Sequence, residues 1–289
     1  MSNANVAPAN QEPIVGKILP DKDFKVTEAL LKDYYEGLKL DRGSFGLGEM
    51  PVPSMIAAAA DNYFSESAFR QQHGHLWMRQ EWTFAKPLQR NEAYVTRGRI
   101  EDIYRKRDRT LVNTAVTVTD LQGVEVLTMN HHQSFLLDAP VKEVQFRDPN
   151  KKAGRHKFIV PEGEPLAGFE RTITLEMCGQ YFHGDKSYHT DLKASKELGF
   201  RDVVVGGRMT MSYIGHLLDG YFGDRWFQSG RLDVKFTNPC WPNDHISIKG
   251  VAMSADDPTR ESVFAWIKKD DGTIVMIAVA SAALEDRLG

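Results

Sequence analysis

Three pairs of segments recur in the same order along the 289-residue chain. VTEALLKDYYEG (26–37) and ITLEMCGQYFHG (173–184) share Thr27/Thr174, Tyr34/Tyr181, the aromatic pair Tyr35/Phe182 and Gly37/Gly184. FAKPLQRNEAY (84–94) parallels FTNPCWPNDHI (236–246) at Phe84/Phe236, Pro87/Pro239 and Asn91/Asn243. The turns DLQG (120–123) and KDDG (269–272) make the third pair. The offset between partners stays near ~150 residues, varying only by loop-sized amounts, and a period of half a chain means two copies of one domain rather than a solenoid array. One such match would carry little weight. Three in order point to a duplication.

Each copy reads with the same coarse plan: a short helical lead-in, a loop, a longer helix, then strands separated by turns. In the second copy the longer helix is GRMTMSYIGHLLDGYF (207–222), whose Met211, Ile214, Leu217, Leu218, Tyr221 and Phe222 recur at helical steps. The first copy offers the alanine-rich SMIAAAADNYF (54–64) in the same place. The strand runs are AYVTRGRIEDIY, TLVNTAVTVTD and GVEVLTMNHHQSFLL in the first copy. In the second they are RLDVKFT, HISIKGVAM, SVFAWIKK and TIVMIAVASAAL. β-Branched and aromatic residues dominate them, with Asp and Gly at the turns. One long helix against mostly antiparallel strands predicts an α+β layer in each copy. The boundaries read as 13–138 for the first copy, a proline-containing linker at 139–167, and 168–289 for the second.

Bulk properties narrow the function classes. A net charge of −3 gives no argument for nucleic acid or an anionic membrane as partner. Two cysteines, Cys178 and Cys240, are too few for a disulfide scaffold or a four-thiolate zinc site. No run approaches the ~18 apolar residues of a membrane helix, and MSNANVAPANQE at the start lacks the form of a secretory signal. The expectation is a cytoplasmic protein. No Gly-x-Ser-x-Gly or Walker-type loop is present, which argues against a serine hydrolase or P-loop enzyme.

The run YHTDLKASKELGFRDVVVGGRMTMSYIGHLL (188–218) resembles the signature region of MaoC-like acyl dehydratases, the (R)-specific enoyl-CoA hydratase family. There a Gly-Asp-x-Asn-Pro-x-His loop precedes a short helix, a hydrophobic step, and a glycine heading a long helix with Thr-Met. VKFTNPCWPNDHI (234–246) is similar to a strand-turn of the same family. The likeness covers most of the second copy and, more faintly, the first. It implies a double hot-dog fold, two fused copies in which an antiparallel sheet wraps a long helix. It also implies hydration of a trans-2-enoyl thioester, within fatty acid metabolism, on CoA or an acyl carrier protein.

That chemistry needs a base for water, a proton for Cα and donors for the enolate oxygen. An unshifted histidine titrates close to operating pH and suits the first task. Backbone N–H groups at a helix start suit the last. By the resemblance, His189 takes the base role, Gly207 is the oxyanion glycine, and Gly206 beside it lets a thioester approach. The His189–Gly207 spacing matches the family without insertion or deletion. Upstream the pattern departs: the family's acid stands five residues before its histidine, where this chain has Gly184. Asp185 is four before, and Lys186 and Ser187 replace Asn-Pro. Asp185 is carried forward as the partner of His189.

Other candidates have plainer readings. Asp191 reads as the N-cap of LKASKELG, Thr210 as helix packing, His183 as exposed and incidental, and Cys178 as core. His73, His75, His131 and His132 read as strand or loop-edge histidines, with no cysteine or carboxylate at ligand spacing beside them. YRKRDRT (104–110) reads as a solvated hairpin tip, although it is basic enough to meet CoA phosphates. The first copy's LKLDRGSFGLGEMP holds no histidine, so a single site in the second copy is expected, with the first degenerate. The full expectation is a cofactor-free, metal-free hydro-lyase acting on a CoA thioester, and by analogy of fold a homodimer. A hot-dog thioesterase and a non-catalytic acyl-thioester binder are the alternatives.

Overall fold

The computed structural model describes residues 12–41, 52–138, 142–146 and 158–284. Four strands of the first half, β2 (Leu76–Phe84), β3 (Ala93–Lys106), β4 (Arg109–Asp120) and β5 (Glu125–Phe135), follow a short strand β1 (Lys22–Lys25) and helix α1 (Glu28–Leu38). Between α1 and β2 lie a 3-10 helix, Ser54–Ala59, and a single turn, α2 (Phe64–Ser67). The second half opens with β6 (Glu164–Pro165) and β7 (Phe169–Thr172), then α3 (Leu175–Tyr181), α4 (Leu192–Glu197), α5 (Gly207–Phe222) and α6 (Asp224–Ser229). It closes with β8 (Arg231–Phe236), β9 (His245–Met253), β10 (Arg260–Lys269) and β11 (Ile274–Ala283). Among the described residues the eleven strands form one sheet in the order β1-β3-β4-β5-β2-β8-β11-β10-β9-β6, with β7 also on β9. The orders β3-β4-β5-β2 and β9-β10-β11-β8 are the same order twice. This is the double hot-dog arrangement expected.

The halves join where β2 pairs antiparallel with β8, from Arg79 opposite Lys235 to Thr83 opposite Arg231. Glu81 falls opposite Asp233, its own counterpart in the repeat, so a pseudo-twofold axis passes between them. Like charges facing each other weaken a sheet. Arg79 resolves this by reaching both: its guanidinium meets Asp233 at 2.8 Å through two nitrogens and Glu81 at 2.8 Å. Such a fork holds geometry better than a single-point ion pair. The lead-in helices obey the same symmetry. Tyr34 of α1 lies 6.0 Å from its counterpart Tyr181 of α3, and Gln180 donates to Asp33 at 2.5 Å. Thr27 and Thr174 cap these two helices, each accepting from the backbone N–H three residues on.

The sheet wraps α5. Met209, Tyr213, Ile214 and Leu218 have essentially no exposed surface, and each large apolar side chain buried this way contributes about 1.5–3 kcal/mol. With eleven of its sixteen residues buried, this helix is enclosed and not laid on a surface. Gly215 lets it be enclosed from the first half as well, because a Cβ there would stand 2.1 Å from Met55 Cγ.

Two expectations need correction. The segment 54–64 is no long helix: it is the six-residue 3-10 turn followed by a break. Tyr63 causes the break by swinging onto β3, where its hydroxyl donates to Thr96 O at 2.7 Å and its ring fills the space a side chain at Gly98 would need. The linker 139–167 lies partly outside the described residues, but its described parts join the fold. Glu164–Pro165 pairs with β9, and Val144 packs with Phe200, Val204 and Trp241.

Candidate functional site

A cavity of about 700 Å³ opens between the halves, within the usual ~300–1,000 Å³ of small-molecule sites. The second half supplies His189, Asp185, Gly207 and Thr210 to its wall; the first supplies Asp61, His75, Trp77, His131 and the Lys106–Arg109 hairpin tip. The YRKRDRT tip therefore borders the cavity mouth.

His189 sits on the loop between α3 and α4. Val204 O lies 2.8 Å from its Nδ1. A carbonyl only accepts, so Nδ1 carries the proton and Nε2 is left with the lone pair. The ring stacks on Phe182 at 4.8 Å and meets Tyr188 at 3.8 Å. Burial among these rings lowers its pKa to about 4, partly opposed by the Val204 bond, with the Arg208 charge acting in the same direction as burial. At neutral pH His189 is a neutral base in the correct tautomer.

Asp185 borders the same cavity but is exposed. Its backbone is tied down, with N–H donating to Phe182 O at 3.0 Å and C=O accepting from Thr190 Oγ1 at 2.5 Å. Among the described residues no hydrogen bond or ion pair joins its carboxylate to His189. Gly207 is the first residue of α5, whose N-cap Gly206 offers no side-chain bond. The first-turn N–H groups are thus left to a ligand or water. Gly206 itself is not part of the cavity wall. Its missing side chain makes room for Phe182, whose Cζ would stand 2.3 Å from a Cβ there. The glycine pair therefore divides its work: Gly207 faces the cavity, and Gly206 seats the ring that supports His189.

The plainer readings fare unevenly. Asp191 caps α4 by accepting from Ala194 N–H at 2.9 Å, Cys178 is fully buried, and Thr210 is buried with its hydroxyl on Gly207 O at 3.0 Å. His183 is not incidental: it pairs with Asp33 of α1 and ties the site loop to the first half. His132 is held by Tyr104 and Glu81. His131 has a buried carboxylate partner in Asp61, seventy residues away in sequence. That separation hides the pair from any reading by local spacing. His75 accepts or donates at Nδ1 to the Tyr188 hydroxyl at 2.9 Å. Among the described residues, no cluster of three or more His, Cys, Asp or Glu could hold a metal, and no helix is long and apolar enough to cross a membrane.

Fold and site together define a double hot-dog protein with a polar-ended cavity between its copies. Solved structures of the same fold bear this out. One named as a MaoC-like dehydratase superposes with a TM-score of 0.71 at 18% identity, covering 94% of this chain and 98% of that one. A conserved hypothetical protein of Mycobacterium tuberculosis, described as a double hotdog fold, gives 0.60 at 13% identity over 93% and 97%. A putative oleoyl thioesterase of Lactobacillus plantarum gives 0.55 at 11% over 93% and 97%. No protein-family model and no curated protein matches the sequence. At these identities the likeness establishes the fold.

Proposed function

We propose that the protein hydrates a trans-2-enoyl thioester, reversibly, to the 3-hydroxyacyl thioester. The observation that carries this is His189 beside the uncapped start of α5 in one cavity. His189 Nε2 takes a proton from water as the water oxygen bonds Cβ, and the first-turn N–H of Gly207 holds the thioester oxygen as it gains charge. Asp185, at the mouth, orients the incoming water. Lys106 and Arg107 face the phosphates of a CoA carrier, and the reading calls for no cofactor beyond the thioester. The dehydratase-named structure of the same fold supports this reading.

Crotonyl-CoA hydration tests it: His189→Ala should lose at least a hundredfold in rate, and a variant as fast as wild type would remove the proposal. The second reading, thioester hydrolysis, draws on the thioesterase-named structure and on the same neutral base. Release of free thiol from a saturated acyl-CoA, with no hydration of the enoyl form, would select it. Tight acyl-CoA binding with no turnover of either kind would instead mark a non-catalytic binder.

A further inference from the structure

The first half places a histidine and a carboxylate in the cavity that the hydratase reading leaves without a task. Asp61 follows the 3-10 helix at the break made by Tyr63, and His131 lies on β5. Their side chains are only 6% and 12% exposed, and Asp61 Oδ2 is hydrogen-bonded to His131 Nδ1. With the carboxylate accepting, Nδ1 is the donor, and Nε2 is the ring position left to exchange a proton. A carboxylate in this position fixes the tautomer and the orientation of the ring.

The pair lines the same cavity as His189 and Gly207. His131 stacks on Trp77 at 4.5 Å and 12°. Trp77 in turn lies over the start of α5, with its Cε3 3.0 Å from where a Gly207 Cβ would be. Two histidines therefore approach one helix start, each through a single aromatic ring: His131 through Trp77 to Gly207, and His189 through Phe182 to Gly206. His75, just before β2, and Trp77, inside it, link them further. Trp77 carries His131, while His75 is bonded to Tyr188, whose ring rests on His189. A purely structural buried ion pair contributes little net stability and is readily replaced by apolar residues, and it has no reason to border a ligand cavity.

We propose that Asp61–His131 is a second acid–base pair of this cavity, transferring the proton at Cα of the thioester while His189 handles the water. The inference rests on the acyl-thioester reading above. In hydration, His189 Nε2 takes a proton from water as the O–Cβ bond forms. The C=C π pair shifts to make a C=C bond to the thioester carbon, and the carbonyl pair moves onto its oxygen at the start of α5. The enolate then collapses: C=O re-forms, and Cα takes the proton from the His131 imidazolium. His189 has gained one proton and His131 has lost one, and exchange with solvent at the mouth resets both. The first copy is then a working half of one composite site.

Acetoacetyl-CoA tests this without turnover, because its Cα lies between two carbonyls and its enolate has a distinct near-ultraviolet band. Wild-type protein near pH 7 should bind it and raise that band above the free compound's. His131→Gln and Asp61→Asn should bind with Kd within threefold of wild type and show the band reduced at least tenfold, whereas His189→Gln should keep it. Melting curves establish that each variant is folded, and the Asp61 variant stands in if the His131 variant is not. A band that persists in either dyad variant, or wild-type binding with no band, overturns the inference and leaves the hydratase reading standing. Failure of wild type to bind any acyl-CoA overturns both.

Discussion

The two halves share one strand order and differ most in the helix the sheet should wrap. The second half has α5, sixteen residues long and buried over most of its length; the first has six residues of 3-10 helix and a break. The same position in the repeat thus serves two ends. A whole helix offers its N-terminus to the cavity, and a broken one delivers Asp61 to it. The two helical pieces also bind each other. Asp219 of α5 accepts from Ser54 Oγ at 2.5 Å and from Ser54 N–H at 3.2 Å, so the long helix caps the short one.

The largest effect expected of this contrast is on the pH dependence of the reaction. His189 in the second half has its pKa held near 4 by burial, so the loss of kcat/KM for an enoyl-CoA on the acid side should come toward 4–5 and not at 6.5. His189→Gln should lower the plateau by about 10²–10⁴-fold. An acid limb centred on an ordinary histidine value, unchanged in His189→Gln, would move the base out of the second half.

Next is the joint between the halves. Burial raises the Asp219 pKa from 3.8 to about 7, against the opposing Ser54 hydrogen bonds. A raised folded pKa means that this group's contribution to stability is full below about 4 and is lost as pH rises through 7. The charged form at pH 8 costs up to a few kcal/mol. Asp219→Asn should therefore be less stable than wild type at pH 5, with the gap in Tm closing or reversing at pH 8. A gap independent of pH would mean the carboxylate is charged throughout.

A smaller effect separates Gly206 from Gly207. Gly206→Ala should displace Phe182 from under His189 and cost roughly tenfold in kcat, with wild-type affinity for a saturated acyl-CoA. Adding Phe182→Leu should restore part of the loss, which a direct oxyanion role for Gly206 would not allow. The smallest concerns the cap of α4: Asp191→Ala should cost about 1 kcal/mol by denaturant titration and leave the cavity chemistry unchanged.

Much of the fold was legible because duplication leaves marks that survive divergence. Thr27/Thr174 are helix caps, and Phe84/Phe236 end counterpart strands. Strand β2 does not show in its own pattern, since LWMRQEWTF neither alternates cleanly nor stands between strong turns. Alignment of Phe84 with Phe236 would have found it, because the residues before Phe236 read plainly as a strand. The alanine-rich segment misled for a related reason. Its propensity is helical, but Tyr63 gains more by docking on β3 than the helix gains by continuing, a tertiary preference that propensity does not contain. In the site, the family resemblance pointed to His189 and Gly207, which border one cavity, and local pattern gave the Asp191 cap. It could not expose Asp61–His131, because sheet closure and not chain proximity brings those residues together.

The β2–β8 junction has a consequence for how the chain is made. Each half ends in a strand whose outer edge is satisfied only by the other half, and β2 is synthesised some 150 residues before β8. The nascent first half must therefore hold an open, pairing-competent edge while the second is still being translated. Arg79 and Glu81, charged and side by side along that edge, are the kind of residues that keep a waiting strand from pairing with a stranger. The same arginine that later bridges two facing carboxylates first serves as a guard.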